Sequence, residues 1–210
     1  MISDALKIPY AGDGNKIALF GGSFNPPHEG HLNVSELALQ RLGVDQVWWI
    51  VTPGNPLKDH SELASLEDRI ELCNELASHP KIKVTAFEAR YRVRYTADTL
   101  RLLKRIRPRL NFVWLMGADN LAQFHKWQDW REIAEMMPLA IVDRPGSTLS
   151  YRSARAALTL WRYRHDEGDA SLLADMEPPA WTFIHGPRSS LSSTQLRAAR
   201  KKITGGKSPS

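Results

Sequence analysis

The chain is poor in cysteine: Cys73 stands alone among 210 residues. A single thiol excludes an internal disulfide and any Cys-x-x-Cys metal or redox pair, and a cytoplasmic setting is expected. Long apolar runs are missing too, since no stretch approaches the roughly 18 residues that a bilayer-spanning helix needs. The opening Met1-Ile2-Ser3-Asp4-Ala5-Leu6-Lys7 lacks the charged-then-apolar order of a secretory signal. There is no Gly-x-Gly-x-x-Gly dinucleotide fingerprint and no His-Glu-x-x-His zinc motif. Gly205-Gly206-Lys207-Ser208 echoes the end of a P-loop, but Lys201 occupies the place of its first glycine. Internal repeats are absent, and low complexity is confined to the last residues, where Thr204 to Ser210 is expected to be disordered.

What remains is an ordinary globular composition, 42% hydrophobic and 24% charged, enough for one sizeable domain. The expected division is an N-terminal extension over residues 1–15, a single domain over 16–202 and a tail over 203–210. A net charge of +5 favours anionic partners. Much of the excess lies in Arg90, Arg92, Arg94, Arg101, Lys104, Arg105, Arg107 and Arg109. That run reads either as a solvated helix face or as a nucleic-acid-binding surface.

Strand and helix signals alternate along the chain. Lys16 to Phe20 reads as a short buried strand, and Glu29 to Leu42 as a helix closed by Gly43. Gln46 to Val51 is apolar almost throughout, as expected of a strand covered on both faces. Ser65 caps a helix running to about Ala77. Ile82 to Phe87 alternates as a strand, and Thr96 is placed to cap a helix through Ile106. Asn111 to Met116, Leu139 to Val142 and Trp181 to Ile184 complete six strands, with a last helix from about Ser193 to Lys202. The region 147–179 is less regular and partly helical around Ala154 to Tyr163. This alternation predicts an α/β fold, a Rossmann-like parallel sheet with helices on both faces. In such sheets ligands bind at the carboxyl ends of the strands, so the chemistry belongs in the loops there.

The loop after the first strand is Gly21-Gly22-Ser23-Phe24-Asn25-Pro26-Pro27-His28-Glu29-Gly30-His31. The glycines allow a tight turn and a close approach to a ligand, and the prolines stiffen the loop. His28 and His31 fall on one side of the first helical turn, where free backbone N–H groups favour an anion. The other readings are a metal-binding pair short of a third ligand, or two histidines packed in the interior. Near the other end, Leu191-Ser192-Ser193-Thr194-Gln195-Leu196-Arg197 opens a helix. Its hydroxyls and Arg197 suit phosphate oxygens; its plain reading is a helix cap with a surface arginine.

The first of these segments resembles the His-x-Gly-His signature of the nucleotidyltransferase superfamily. It is closest to the Gly-Gly-x-Phe-Asp-Pro-x-His-x-Gly-His form of bacterial nicotinate mononucleotide adenylyltransferases, with Asn25 at the usual aspartate. The second resembles the superfamily's Ile-Ser-Ser-Thr-x-Ile-Arg motif. The resemblance covers about Lys16 to Lys202 and implies adenylyl transfer from ATP to nicotinate mononucleotide in NAD synthesis. It implies that His28, His31 and Arg197 serve catalysis and that Gly21, Gly22, Ser23, Phe24, Ser192, Ser193 and Thr194 hold ATP. Tyr95-Thr96-Ala97-Asp98-Thr99-Leu100 resembles the segment that holds nicotinate, and Trp127 stands where the family stacks an aromatic on the pyridine ring. Gly117 and Asp119 match a ribose-contacting Gly-x-Asp, Lys58 a phosphate-binding position, and Arg144 an Arg-Pro-Gly turn on the adenosine side. Asn25 is assigned with Lys58, Tyr95, Thr96 and Trp127 to the mononucleotide. For Tyr95 and Trp127 a place in the core is the alternative, for Asp119 a helix cap, and for Lys58 a solvated lysine.

Magnesium is implied as a companion of ATP, with no protein metal cage. ATP and nicotinate mononucleotide are the expected partners, without nucleic acid or membrane; monomer and homodimer are equally open. The rival acceptors are phosphopantetheine and nicotinamide mononucleotide, and the rival class is a non-catalytic nucleotide- or RNA-binding protein.

Overall fold

The computed structural model of the chain describes residues 2–54, 63–143 and 153–186. Among these, seven strands form one sheet: β1 (Lys16–Gly22), β2 (Gln46–Val51), β3 (Ile82–Thr85), β4 (Asn111–Gly117), β5 (Leu139–Val142), β6 (Arg164–His165) and β7 (Trp181–Ile184). Their order is β3-β2-β1-β4-β5-β7-β6, and every pairing is parallel. The α/β expectation therefore holds. β6 is a seventh strand that sequence patterning missed, because its two residues are too short to show a period.

β2 shows how the sheet is covered on both faces. Its consecutive Trp48 and Trp49 point to opposite sides, as the two-residue strand period requires, and both are wholly buried. Trp48 joins the cluster that includes Phe112, Trp114, Phe124 and Trp130. This side carries α5 (Thr96–Ile106), α6 (Ala118–Phe124), α7 (Trp130–Met136) and α8 (Arg155–Thr159). Trp49 joins the opposite cluster with Phe20, Phe24, Leu37 and Cys73. There lie α2 (Glu29–Arg41), α3 (Leu66–Leu76) and the 3-10 segment Glu167–Asp175.

Ser65 caps α3 as expected, its hydroxyl accepting from the Asp68 N–H at 3.0 Å. At α5 the boundary is right but the cap is not: Tyr95 is the N-cap residue, and no side chain closes the helix start. The strand expected over Ile82 to Phe87 ends at Thr85, and Phe87 opens the short α4 (Phe87–Tyr91). Apolar alternation cannot separate a strand end from a buried helical turn. α1 (Ile2–Ala5) and the residues after it lie against the sheet edge, where the Thr85 hydroxyl donates to the carbonyls of Ala5 and Lys7. The expected last helix and the tail fall outside the described residues.

The strand order reverses direction on either side of β1, whose neighbours are β2 and β4. A crevice must open there at the carboxyl ends, because the connections leave β1 and β4 in opposite directions.

Candidate active site

β1 ends at the glycine pair, and the chain then runs through Ser23–His28 into α2. Both glycines lie in the strand, and neither has a positive φ. The expected glycine turn is thus corrected: the turn residue is Phe24, at φ 45°. Gly21 is needed for a different reason. A Cβ there would sit 2.6 Å from Cη2 of Trp114, so the missing side chain makes room for an indole from β4. Phe24 gains by burial what its backbone costs: its ring stacks on Trp49 at 5.1 Å and meets Phe20 edge-on at 5.8 Å. Of the residues assigned to ATP, it is one that serves the interior.

The two histidines form a compact pair with ring centroids 4.0 Å apart. His28 is the N-cap residue of α2, and its Nδ1 accepts from the Gly30 N–H at 3.0 Å. The Nδ1 of His31 accepts from the His28 N–H at 3.2 Å. A neutral imidazole whose Nδ1 accepts must carry its proton on Nε2. The backbone therefore selects, in both rings, the tautomer with an Nε2–H donor. Both residues are buried, and behind them Ser35 donates to the His31 carbonyl while accepting from the Trp49 indole.

A cavity of about 320 Å³ opens at the ends of β1 and β4. Gly21, Gly22 and Ser23 form one wall, Arg94, Tyr95 and Thr96 another, and Trp127 a third. Trp127 also packs edge-on against Trp114 and Phe124, so its two readings combine: it is anchored in the core and exposed to the cavity. The helix start at Tyr95–Thr96 brings uncapped N–H groups to the same space, a favourable place for an anion.

Buried polar atoms that lack a hydrogen-bond partner are rare in native proteins, and each calls for an explanation in strain, catalysis, water or a ligand. Three such atoms among the described residues, Thr52 Oγ1, Glu88 Oε2 and Trp114 Nε1, belong to residues lining this cavity. Burial pushes the Glu88 carboxyl up to about 7, against a smaller lowering by its hydrogen bond from Thr99.

A buried arginine ties the cavity's loops together. Arg69, on α3, is 1% exposed. Its Nη1 donates to the carbonyls of Ser23 at 2.8 Å and Thr52 at 2.7 Å, and its Nη2 to Pro53. Its Nε donates to Ala64 and Ser65. Desolvation lowers its pKa, yet the five bonds join the loops after β1 and β2 to the start of α3. Asn25 adds a link, its Oδ1 accepting from the Ala64 N–H at 3.2 Å.

Among the sequence-predicted residues, Gly21, Gly22, Ser23, Tyr95, Thr96 and Trp127 meet in the cavity. His28 and His31 meet each other at the start of α2. Gly117 is buried as the N-cap residue of α6, and Asp119 is exposed on that helix's first turn; Asn120 lines the cavity in its place. Lys58, Arg144, Ser192, Ser193, Thr194 and Arg197 lie outside the described residues. Sequence reading missed Arg69, Glu88, Arg94 and Lys126. Arg69 had a signal, since it shares the helical face of Leu66, Ile70 and Cys73, where an arginine is out of place unless bonded. The basic run also divides. Arg101 is held by Glu132, Asp98 and Asp129, Arg109 pairs with Asp13, and Arg94 faces the cavity.

Comparison with known proteins follows the same lines. A family model described as cytidylyltransferase-like matches residues 19–199. A "Probable nicotinate-nucleotide adenylyltransferase" of Brucella suis is 63% identical over 186 residues, covering 89% of this chain and 96% of that relative. One of the same name from Mesorhizobium japonicum is 60% identical over 194 residues, 92% of this chain and 100% of its own length. Among solved structures, the nicotinic acid mononucleotide adenylyltransferase of Plasmodium falciparum, complexed with NaAD, superposes with a TM-score of 0.67. It covers 88% of this chain and 83% of its own at 17% identity, a likeness of fold.

Proposed function

The chain belongs to the cytidylyltransferase-like family and to its nicotinate-nucleotide adenylyltransferases, and from that membership we propose how its cavity carries adenylyl transfer. The reaction joins the AMP part of ATP to nicotinate mononucleotide, giving nicotinate adenine dinucleotide and pyrophosphate in NAD synthesis. The observation that supports this reading best is the convergence, at one crevice, of the β1 glycines, the uncapped start of α5 and Trp127.

The mononucleotide's 5′-phosphate attacks the α-phosphorus of ATP in line, the new P–O bond forming as the bond to pyrophosphate breaks. A phosphate monoester is already nucleophilic at neutral pH, so no side chain need remove a proton. The protein contributes position and charge stabilisation. His28 and His31 supply Nε2–H donors to phosphoryl oxygens, and their shared backbone bonding holds both donors in register before substrate arrives. Ser192, Ser193, Thr194 and Arg197 are assigned to the β- and γ-phosphates, with Lys58 and Arg144 as further contacts. On the other side of the crevice, Trp127 takes the pyridine ring, and the Tyr95–Thr96 helix start takes the ring's carboxylate.

A divalent cation, magnesium in this reading, supplies charge neutralisation on the triphosphate. The cation is held in this reading by phosphate oxygens and water. The deciding assay is pyrophosphate release from Mg-ATP with nicotinate mononucleotide, nicotinamide mononucleotide or phosphopantetheine. Release is expected to be fastest with the first; release with phosphopantetheine alone would refute the assignment.

A further inference from the structure

Glu88 is a carboxyl group that the mechanism above does not use. It is 4% exposed, lies on α4 just before the loop that delivers Arg94 and Tyr95, and lines the cavity with them. Its Oε1 accepts from the Thr99 hydroxyl at 2.6 Å, in the first turn of α5. The carboxyl is thereby fastened beneath the helix start that faces the pyridine substituent. Its Oε2 is buried and has no partner among the described residues.

The charged and titratable groups around it are few. Arg94, Tyr95 and Lys126 line the same cavity, from the loop after α4 and the end of α6. On α4 itself Arg90 and Tyr91 are exposed, and on α5 Asp98 is engaged by Arg101. Glu88 forms no ion pair among the described residues, so burial governs its ionisation and the neutral acid persists near neutral pH.

Resting on the nicotinate mononucleotide reading, we propose that Glu88 reads the substituent on the pyridine ring. As the neutral acid its Oε2–H donates to the ring carboxylate; ionised, it repels that carboxylate and accepts from a carboxamide. The acid substrate then binds together with one proton, and the amide does not. A buried acceptor left without its proton donor costs far more than a matched pair, which gives the discrimination its size.

The test uses the full chain and saturating Mg-ATP, with KM measured for nicotinate and nicotinamide mononucleotides from pH 6 to pH 9. Both carry the same 5′-phosphate, so its titration cancels in the ratio. The acid-to-amide KM ratio should rise roughly ten- to a hundredfold between pH 7 and pH 9, as one-proton linkage requires. In Glu88→Gln, which cannot ionise, the ratio should not change with pH, whatever its level. A wild-type ratio that is flat while turnover continues overturns the role of Glu88 alone, as does a variant that keeps the wild-type slope. Turnover of neither acceptor at any pH removes the enzyme reading and this inference with it. If the variant does not fold, calorimetry on the wild type at pH 8 in buffers of different ionisation heat decides. The acid should take up about 0.9 proton more than the amide, and equal uptake refutes the proposal.

Discussion

Replacing Arg69 with methionine should cost stability and catalysis together, because one guanidinium holds two walls of the cavity. The side chain donates five hydrogen bonds, all to backbone carbonyls, and its bonds to Ser23 and Thr52 are the shortest at 2.8 and 2.7 Å. Hydrogen bonds to a charged group contribute about 1.5–3 kcal/mol each. Against this stands the desolvation of a cation that forms no salt bridge among the described residues, and methionine recovers that cost. Counting the two short bonds and discounting for desolvation leaves a net loss of about 2–4 kcal/mol. For a chain of this length that lowers Tm by roughly 4–16 °C. Arg69→Lys should recover little, since a point ammonium cannot reach the Ser23, Thr52 and Ala64 carbonyls at once. Thermal unfolding measures the first effect. The second appears in kinetics below the transition: the Ser23 and Thr52 loops that line the cavity loosen, so kcat/KM falls. A methionine variant melting within about 2 °C of wild type would refute the clamp, because methionine offers these carbonyls no donor.

Other substitutions separate the remaining roles. His31→Ala should lower kcat about a hundredfold or more at saturating ATP, the scale of one lost transition-state donor; near-normal turnover would remove His31 from the mechanism. Trp127→Ala should raise KM for the mononucleotide more than for ATP, ring stacking being worth about 0.5–1.5 kcal/mol beyond burial; equal losses in initial-rate titrations would contradict it. Gly21→Ala should destabilise by about 1–3 kcal/mol through overpacking against Trp114, and adding Trp114→Leu should restore part of that in chemical denaturation. Glu88 also predicts a pH profile for stability. Its folded pKa is raised to about 7 from 4.5, so its contribution is full below pH 4.5 and is lost as pH rises through 7. That loss amounts to about 3 kcal/mol, and comparison of wild-type and Glu88→Gln unfolding from pH 4 to pH 8 should show it only in the wild type.

Much of the fold was legible because its signals are local. The apolar runs Gln46–Val51 and Asn111–Met116 became central strands β2 and β4, and Ser65 and Gly43 marked helix ends where expected. Gly43 has φ 60°, the conformation in which glycine is least strained. The histidine loop was legible for the same reason, its residues lying within eleven positions between one strand and one helix. Local reasoning fails where a residue type has two uses. Gly21 and Gly22 looked like turn formers, but the feature that selects Gly21 is an indole nearly a hundred residues further along the chain.

The residues that escaped were those whose partners are distant in sequence. Arg69 bonds Ser23, 46 positions away, and Glu88 bonds Thr99 on another helix. Each is a charged group buried at a cost that only a specific arrangement of dipoles can offset, and no window of sequence contains that arrangement. They carry a common logic. Every nitrogen of the Arg69 guanidinium donates to a backbone carbonyl, so its task is finished when the chain has folded. Glu88 is satisfied at one oxygen only, so folding leaves part of its cost outstanding. A ligand that enters the cavity can complete such an atom. The contrast between a closed and an open hydrogen-bond set, more than burial or charge alone, separates the residue that builds this site from the one that reads its substrate.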